Sequence, residues 1–242
     1  MMKRSRFVVP LLMGLIALTV PSMARPEEAR PDEPKAVPDA ASAPDTWHAT
    51  TFVTGRIGLR FIHYWSKGDW MRAETMVGGH PIVTIVRGPD YVSFDRMTGR
   101  GVRIRRSPQA IEADARRERP FGRDWEELVA QGAVKIEETQ QAGHAVEIWR
   151  ITDSAGRRKL WLTSAEPKLP MRLENFLRAS GETVTTDYAD WVHGIEIPDR
   201  FFDVPSDAHL EPFGYADYLT ESATRRIAPV LYPDLLYGTP TP

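Results

Sequence analysis

Past residue 46 the chain alternates between apolar and polar positions for most of its length. Residues 51–65 place Val53, Ile57, Leu59 and Phe61 on one side of an extended backbone and Arg56, Arg60 and Tyr64 on the other. That period of two is the mark of a half-buried antiparallel strand. Residues 70–77, 81–87, 91–96 and 102–105 continue the pattern. Ser66-Lys67-Gly68-Asp69, Gly78-Gly79, Gly88-Pro89-Asp90 and Thr98-Gly99-Arg100-Gly101 punctuate it as turns. The densest alternation lies in residues 144–178, as three runs over 145–151, 158–162 and 171–177. Asp153-Ser154-Ala155-Gly156 turns between the first two. Pro167 and Pro170, which lack an N–H for a ladder, interrupt pairing before the third. Further strands are expected at 134–138 and 183–192, with a closing segment at 195–204. The pattern predicts an antiparallel meander of roughly ten strands.

Two short stretches depart from that period. Ser107 is an N-cap candidate followed by Pro108, with Ile111 and Ala115 one turn apart, so 107–119 is expected to be helical. Pro120-Phe121-Gly122 breaks it. Residues 123–131 set Trp125, Leu128 and Val129 on one face before Gly132 ends a second helix. These helices need a sheet face to pack on. A third is expected over 216–226. Beyond it, Leu231, Tyr232, Leu235, Leu236 and Tyr237 stand among prolines. That density of large apolar side chains predicts docking on the barrel surface or in a groove.

Composition adds boundaries. Lys3, Arg4 and Arg6 precede an apolar stretch over 7–20 and small residues at 22 and 24, the layout of a secretory signal peptide over 1–24. About 14 apolar residues broken by Pro10 fall short of the ~20 of a membrane span. Residues 25–46 are rich in Pro, Glu, Asp and Ala, and are expected to form a disordered linker. The folded domain is expected over 47–205, with a C-terminal tail over 206–242. There is no cysteine, which excludes disulfides, thiolate metal sites, a Cys nucleophile and a lipid-modified Cys. Cleavage after residue 24 would leave 28 basic against 33 acidic residues, a net charge of −5 that argues against nucleic acid as a partner.

Several segments, in order and spacing, resemble the LolA-like superfamily of periplasmic lipoprotein carriers and lipoprotein-sorting proteins. They are Lys67-Gly68-Asp69-Trp70-Met71-Arg72-Ala73-Glu74; Arg158 to Trp161 with Leu169-Pro170-Met171-Arg172; Asp187-Tyr188; and Ile197-Pro198-Asp199-Arg200-Phe201-Phe202-Asp203-Val204-Pro205. The resemblance covers roughly residues 47–205. It implies a mainly β (α+β) fold: a curved, incompletely closed antiparallel β-barrel with the helical insertion packed on its concave face. It also implies an apolar cavity that shelters acyl chains, each buried CH₂ contributing about 0.8 kcal/mol. Two features depart from the carriers: the Pro-rich linker stands where they begin with an amphipathic helix, and no Arg-Pro pair follows the second turn.

The motif inventory is short. His48, His63, His80, His144, His193 and His209 show neither the i, i+4 nor the H-x-H spacing of a metal site. There is no nucleophile elbow around Ser93 or elsewhere, no phosphate loop and no dinucleotide fingerprint. The expectation is a protein that is not an enzyme and uses no cofactor or metal. Phe61, Trp70, Met71, Trp149, Trp161 and Phe176 are the candidates for lining the apolar cavity, against ordinary core packing. Nine arginines fall between Arg96 and Arg123, partly offset by acids. Arg72, Arg103, Arg105 and Arg106 are the candidates for an anionic-headgroup patch, against a solvated face laced with ion pairs. The expected partners are lipid or lipoprotein acyl chains, in the periplasm, with at most peripheral membrane contact. The alternative is a sensor or assembly partner that binds another envelope protein through the barrel or its tail. A hydrolase on this scaffold would need a Ser–His–carboxylate cluster that the spacing does not indicate.

Overall fold

Strand β1 (Thr46–Gly55) is the joint between two meanders. On one side it leads in chain order to β2 (Gly58–Lys67), β3 (Trp70–Val77), β4 (His80–Arg87), β5 (Asp90–Asp95) and β6 (Arg100–Arg105). On the other it pairs with β11 (Glu182–His193), followed by β10 (Pro170–Leu177), β9 (Gly156–Thr163), β8 (His144–Thr152) and β7 (Val134–Gln141). β12 (His209–Phe213) runs parallel to β6 at the far edge. The result is one twelve-stranded curved sheet not closed into a barrel. The computed structural model describes residues 45–56, 58–224 and 230–238. The expected signal peptide, almost all of the linker and the end of the helix expected over 216–226 lie outside the described residues.

The strand expected over residues 51–65 is in fact a hairpin. Gly55 and Gly58 face each other across the end of the β1–β2 ladder, Gly58 at φ 101°. The period of two runs unbroken through Arg56, so alternation alone does not reveal the reversal. This hairpin and β12 raise the strand count from ten to twelve.

Register assigns every side chain to one of two faces. Trp47, Ala49, Ile62, Met71, Ala73, Val86, Tyr91 and Ile104 form the buried core of the face that carries the helices. Helix α1 (Pro108–Asp114) starts where Ser107 Oγ accepts from Ala110 N at 3.1 Å, as the sequence predicts. Helix α2 (Asp124–Ala130) covers the second meander, with Leu128 against Leu160 and Leu162. Gly122 leads into it at φ 64°, where a Cβ would fall 2.4 Å from the Trp191 ring. Helices α3 (Tyr215–Ala223) and α4 (Pro233–Tyr237) add Tyr218, Leu235 and Leu236 to the first core. On the opposite face Val83, Ile85, Val92 and Phe94 pack under Val204 and Leu210. A 3-10 turn over Asp199–Phe202 lies on that face as well, with Phe202 edge-on to Trp70.

The aromatic tail therefore fills the hollow of the sheet. Arg106, fully buried at its side chain, donates to Leu235 O at 2.6 Å, to Gly88 O at 2.7 Å and to both Asp114 oxygens at 2.7 and 2.9 Å. Ser107 N donates to Leu236 O at 3.0 Å and Ser107 Oγ to Tyr237 O at 2.6 Å. These bonds answer backbone groups that would otherwise be buried without partners. Leu236→Ala is expected to cost about 2–5 kcal/mol. A denaturant midpoint lowered with unchanged slope checks this; an unchanged midpoint would mean the tail is not part of the core.

Candidate functional site

The cover stops short of one end of the sheet. Met71, Val86, Tyr91 and Ile104 lie side by side across β3–β6 beneath Leu235 and Leu236. Further along the same face come Val77 and Ile82, then Ser93 and Val102 directly opposite each other. Over this end the tail contributes Val230 and Leu231. Between them lies a groove of about 650 Å³, also bordered by Phe94, Asp95, Arg100 and Gly101. The small side chain of Ser93 leaves room opposite Val102. Val77 is 43 % exposed.

The rim is asymmetric in charge. Asp95 is engaged: Met97 N and His80 Nδ1 each bond it at 2.8 Å, and Thr98 Oγ1 donates at 3.1 Å. Desolvation pushes its carboxyl up, but these hydrogen bonds together hold it below the usual range. Arg100 makes no ion pair among the described residues. The groove is thus apolar along its length with one free cation at its edge, the shape of a site for an amphiphile with an anionic head.

Register separates the six residues expected to line one cavity. Met71 and Trp149 belong to the helix-covered face, Met71 beneath the tail and Trp149 edge-on to Trp125 of α2 at 4.2 Å. Phe61, Trp70, Trp161 and Phe176 lie on the opposite face. Trp161 pairs with Arg172 and with Ile148, whereas Trp149 pairs with Leu160, so the two tryptophans point to opposite sides. Phe61 packs on Phe52, and Trp70 lies under Arg87 at 3.8 Å. Strand parity, traced through each turn, is the signal that separates them.

The four arginines expected to form a headgroup patch all have anionic partners. Arg72 bonds Glu74 at 2.7 Å and Phe201 O at 2.9 Å. Arg103 and Arg105 share Asp90 at 2.8 and 3.6 Å, and Arg106 is buried against Asp114. His48 and His63, distant in spacing, stack at 6.2 Å on adjacent strands beside Trp65. Burial, then the neighbouring His63, lowers the pKa of His48. No group of three His, Asp or Glu suited to a metal exists among the described residues.

No protein-family model matches the chain, and no curated protein matches it in sequence. Solved structures do. An uncharacterised conserved protein from Thermus thermophilus is 15 % identical over 69 % of this chain and 90 % of its own, with a TM-score of 0.50. The fold is LolA-like. The Pseudomonas aeruginosa MucA/MucB complex (11 % identity, 69 % and 58 % coverage, TM-score 0.43) and the Mycobacterium tuberculosis lipoprotein LppX (11 %, 63 % and 89 %, 0.39) are also similar. At such identities the likeness is one of fold. In this LolA-like sheet the hollow is occupied by the chain's own tail, and the groove lies where the tail's cover thins.

One acid is lodged where α2 meets β11. Tyr188 donates to Asp124 Oδ2 at 2.7 Å. Desolvation pushes the Asp124 carboxyl up, and the tyrosine hydrogen bond offsets this only in part. A carboxyl whose pKa is raised on folding binds its proton more tightly in the native state. Ionisation therefore costs stability progressively as pH rises above about 3.8. Asp124→Asn keeps an acceptor for Tyr188 and removes the charge. Its melting temperature should exceed that of the parent at pH 7, with the gap closing below pH 4. A variant no more stable at pH 7 would contradict this.

Proposed function

We propose that this chain is a non-enzymatic binding or carrier protein for a lipophilic ligand, exported to the periplasm by the signal peptide over residues 1–24. The apolar groove bounded by Val77, Ile82, Val102, Val230 and Leu231 carries the reading. An acyl chain laid there leaves water along its length, and an anionic head at the open end meets Arg100. The LolA-like sheet supports the reading as a scaffold: its curvature gives one face a hollow, and an incomplete cover leaves part of that hollow accessible.

Uptake of a fluorescent fatty acid by protein purified without detergent tests it. Saturable binding is expected, lowered tenfold or more in a Val77→Glu/Leu231→Glu variant, because each charge would have to be buried against the chain. Arg100→Gln should weaken binding of the fatty acid more than that of the matching fatty alcohol. Absence of uptake, or uptake indifferent to the groove variants, would overturn the reading.

A second reading rests on a different surface. Leu59, Phe61 and Met76, exposed by 56, 48 and 53 %, lie on the opposite face where β2 and β3 run together. Neighbouring exposed apolar side chains of this size suit a protein partner. Co-purification of an envelope protein lost in Phe61→Asp, with fatty-acid uptake intact, would favour partner binding over carriage.

A further inference from the structure

Three arginines outside the basic run also lack anionic partners among the described residues. Arg150, Arg157 and Arg178, with Phe176, Thr152 and Gly156, surround a concavity of about 520 Å³ on the open face of the β8–β9–β10 meander. Register builds it: Thr152 pairs with Arg157, Arg157 with Phe176, and Arg150 with Lys159 on the next rung. Gly156 lets β9 run close to β10 here, since a Cβ there would fall 1.8 Å from Phe176 O. We propose that this basin is a binding site for a phosphate-type anion carried beside an apolar group.

Charge accounting supports it. Arg150 and Arg157 form no ion pair among the described residues, and the Arg178 guanidinium donates to Asp153 O, at 3.3 Å. Asp153, Asp187 and Glu174 are occupied. Asp153 accepts from Ala155 N at 2.8 Å, from Gly156 N at 3.0 Å and from Arg158 at 3.4 Å. Asp187 holds Arg172 at 3.1 Å, with Glu174 at 3.9 Å on the same guanidinium. Lys159 extends the positive surface along the face, its ammonium 4.4 Å from the centre of the Trp161 ring. Like charges gathered on one sheet face repel. Elsewhere in the fold Arg72, Arg87, Arg103, Arg105 and Arg106 each have a carboxylate. In a chain of net charge −2, three guanidiniums left around one basin want an external anion. Their planar donors suit the oxygens of phosphate, and the Phe176 ring offers the apolar flank that a lipid headgroup or an organic phosphate would present. The site lies on the opposite face from the groove, and the two proposals stand or fall separately.

The test uses the full exported chain with two probes: inorganic pyrophosphate followed by calorimetry, and vesicle flotation comparing phosphatidylglycerol with phosphatidylcholine. Saturable binding of at least one anionic probe is expected, weakened about fivefold for each of Arg150→Gln and Arg157→Gln. Arg116→Gln, which removes an exposed charge on α1's flank, should leave it unchanged. Pyrophosphate binding without vesicle binding identifies a soluble phosphate ligand. Vesicle binding restricted to phosphatidylglycerol identifies a headgroup. Failure of both probes, binding that survives the double variant, or equal weakening by Arg116→Gln would overturn the proposal. All three residues are exposed, and circular dichroism of the variants separates lost binding from lost folding.

Discussion

Burial of one apolar band determines most of what is distinctive in this molecule. Met71, Val86, Tyr91 and Ile104 lie side by side on the inner face of β3–β6, and an open sheet supplies nothing to cover them. The chain covers them with its own end: Leu235 and Leu236 are 2 and 0 % exposed against that band. Each such leucine contributes about 1.5–3 kcal/mol on burial. The polar clamp of Arg106 and Ser107 follows from this, because a backbone inserted into an apolar hollow needs its carbonyls answered. The groove follows as well. Tail and helices reach only so far along the sheet, and at the uncovered end Val77 stays open to water.

The β1–β11 pairing makes the hollow large enough for this arrangement. It joins two local meanders across some 140 residues, and it contains an irregularity that shapes the interior. Between His48 and Thr50 the ladder skips one residue of β11, with Asp190 at φ 55°. The skip lies next to Trp191, which sits among Trp47, Phe121 and Tyr188 and donates to Pro170 O at 2.9 Å. One bulge thereby ties the centre of the sheet to the loop that leads into α2.

Much of this is legible in the amino-acid sequence. Alternation located ten of the strands, Ser107 and Pro108 marked the start of α1, and the aromatic content of residues 230–238 implied a docked tail. The β1–β2 hairpin was not legible, because Gly55-Arg56 lies within a pattern whose period continues in step through the turn. The candidate site was less accessible still. Charge density along the sequence pointed to Arg103, Arg105 and Arg106, yet their partners Asp90 and Asp114 come from a neighbouring strand and from the end of α1. Arg150, Arg157 and Arg178 are unremarkable in sequence, and only register shows that they meet without a carboxylate. The six apolar candidates failed to converge for a related reason: residue type identifies a large side chain, but strand parity decides its face.

We propose that the accessible part of the hollow, and not the opposite face, receives a lipophilic chain. The direct measurement is the pattern of amide signal broadening in the full protein when a stearate bearing a nitroxide near its chain terminus is added. Broadening should centre on Val77, Ile82, Val102 and Leu231, and reduction of the nitroxide should restore the signals. Broadening centred on Phe61, Trp161 and Phe176, or none at saturating stearate, would contradict it.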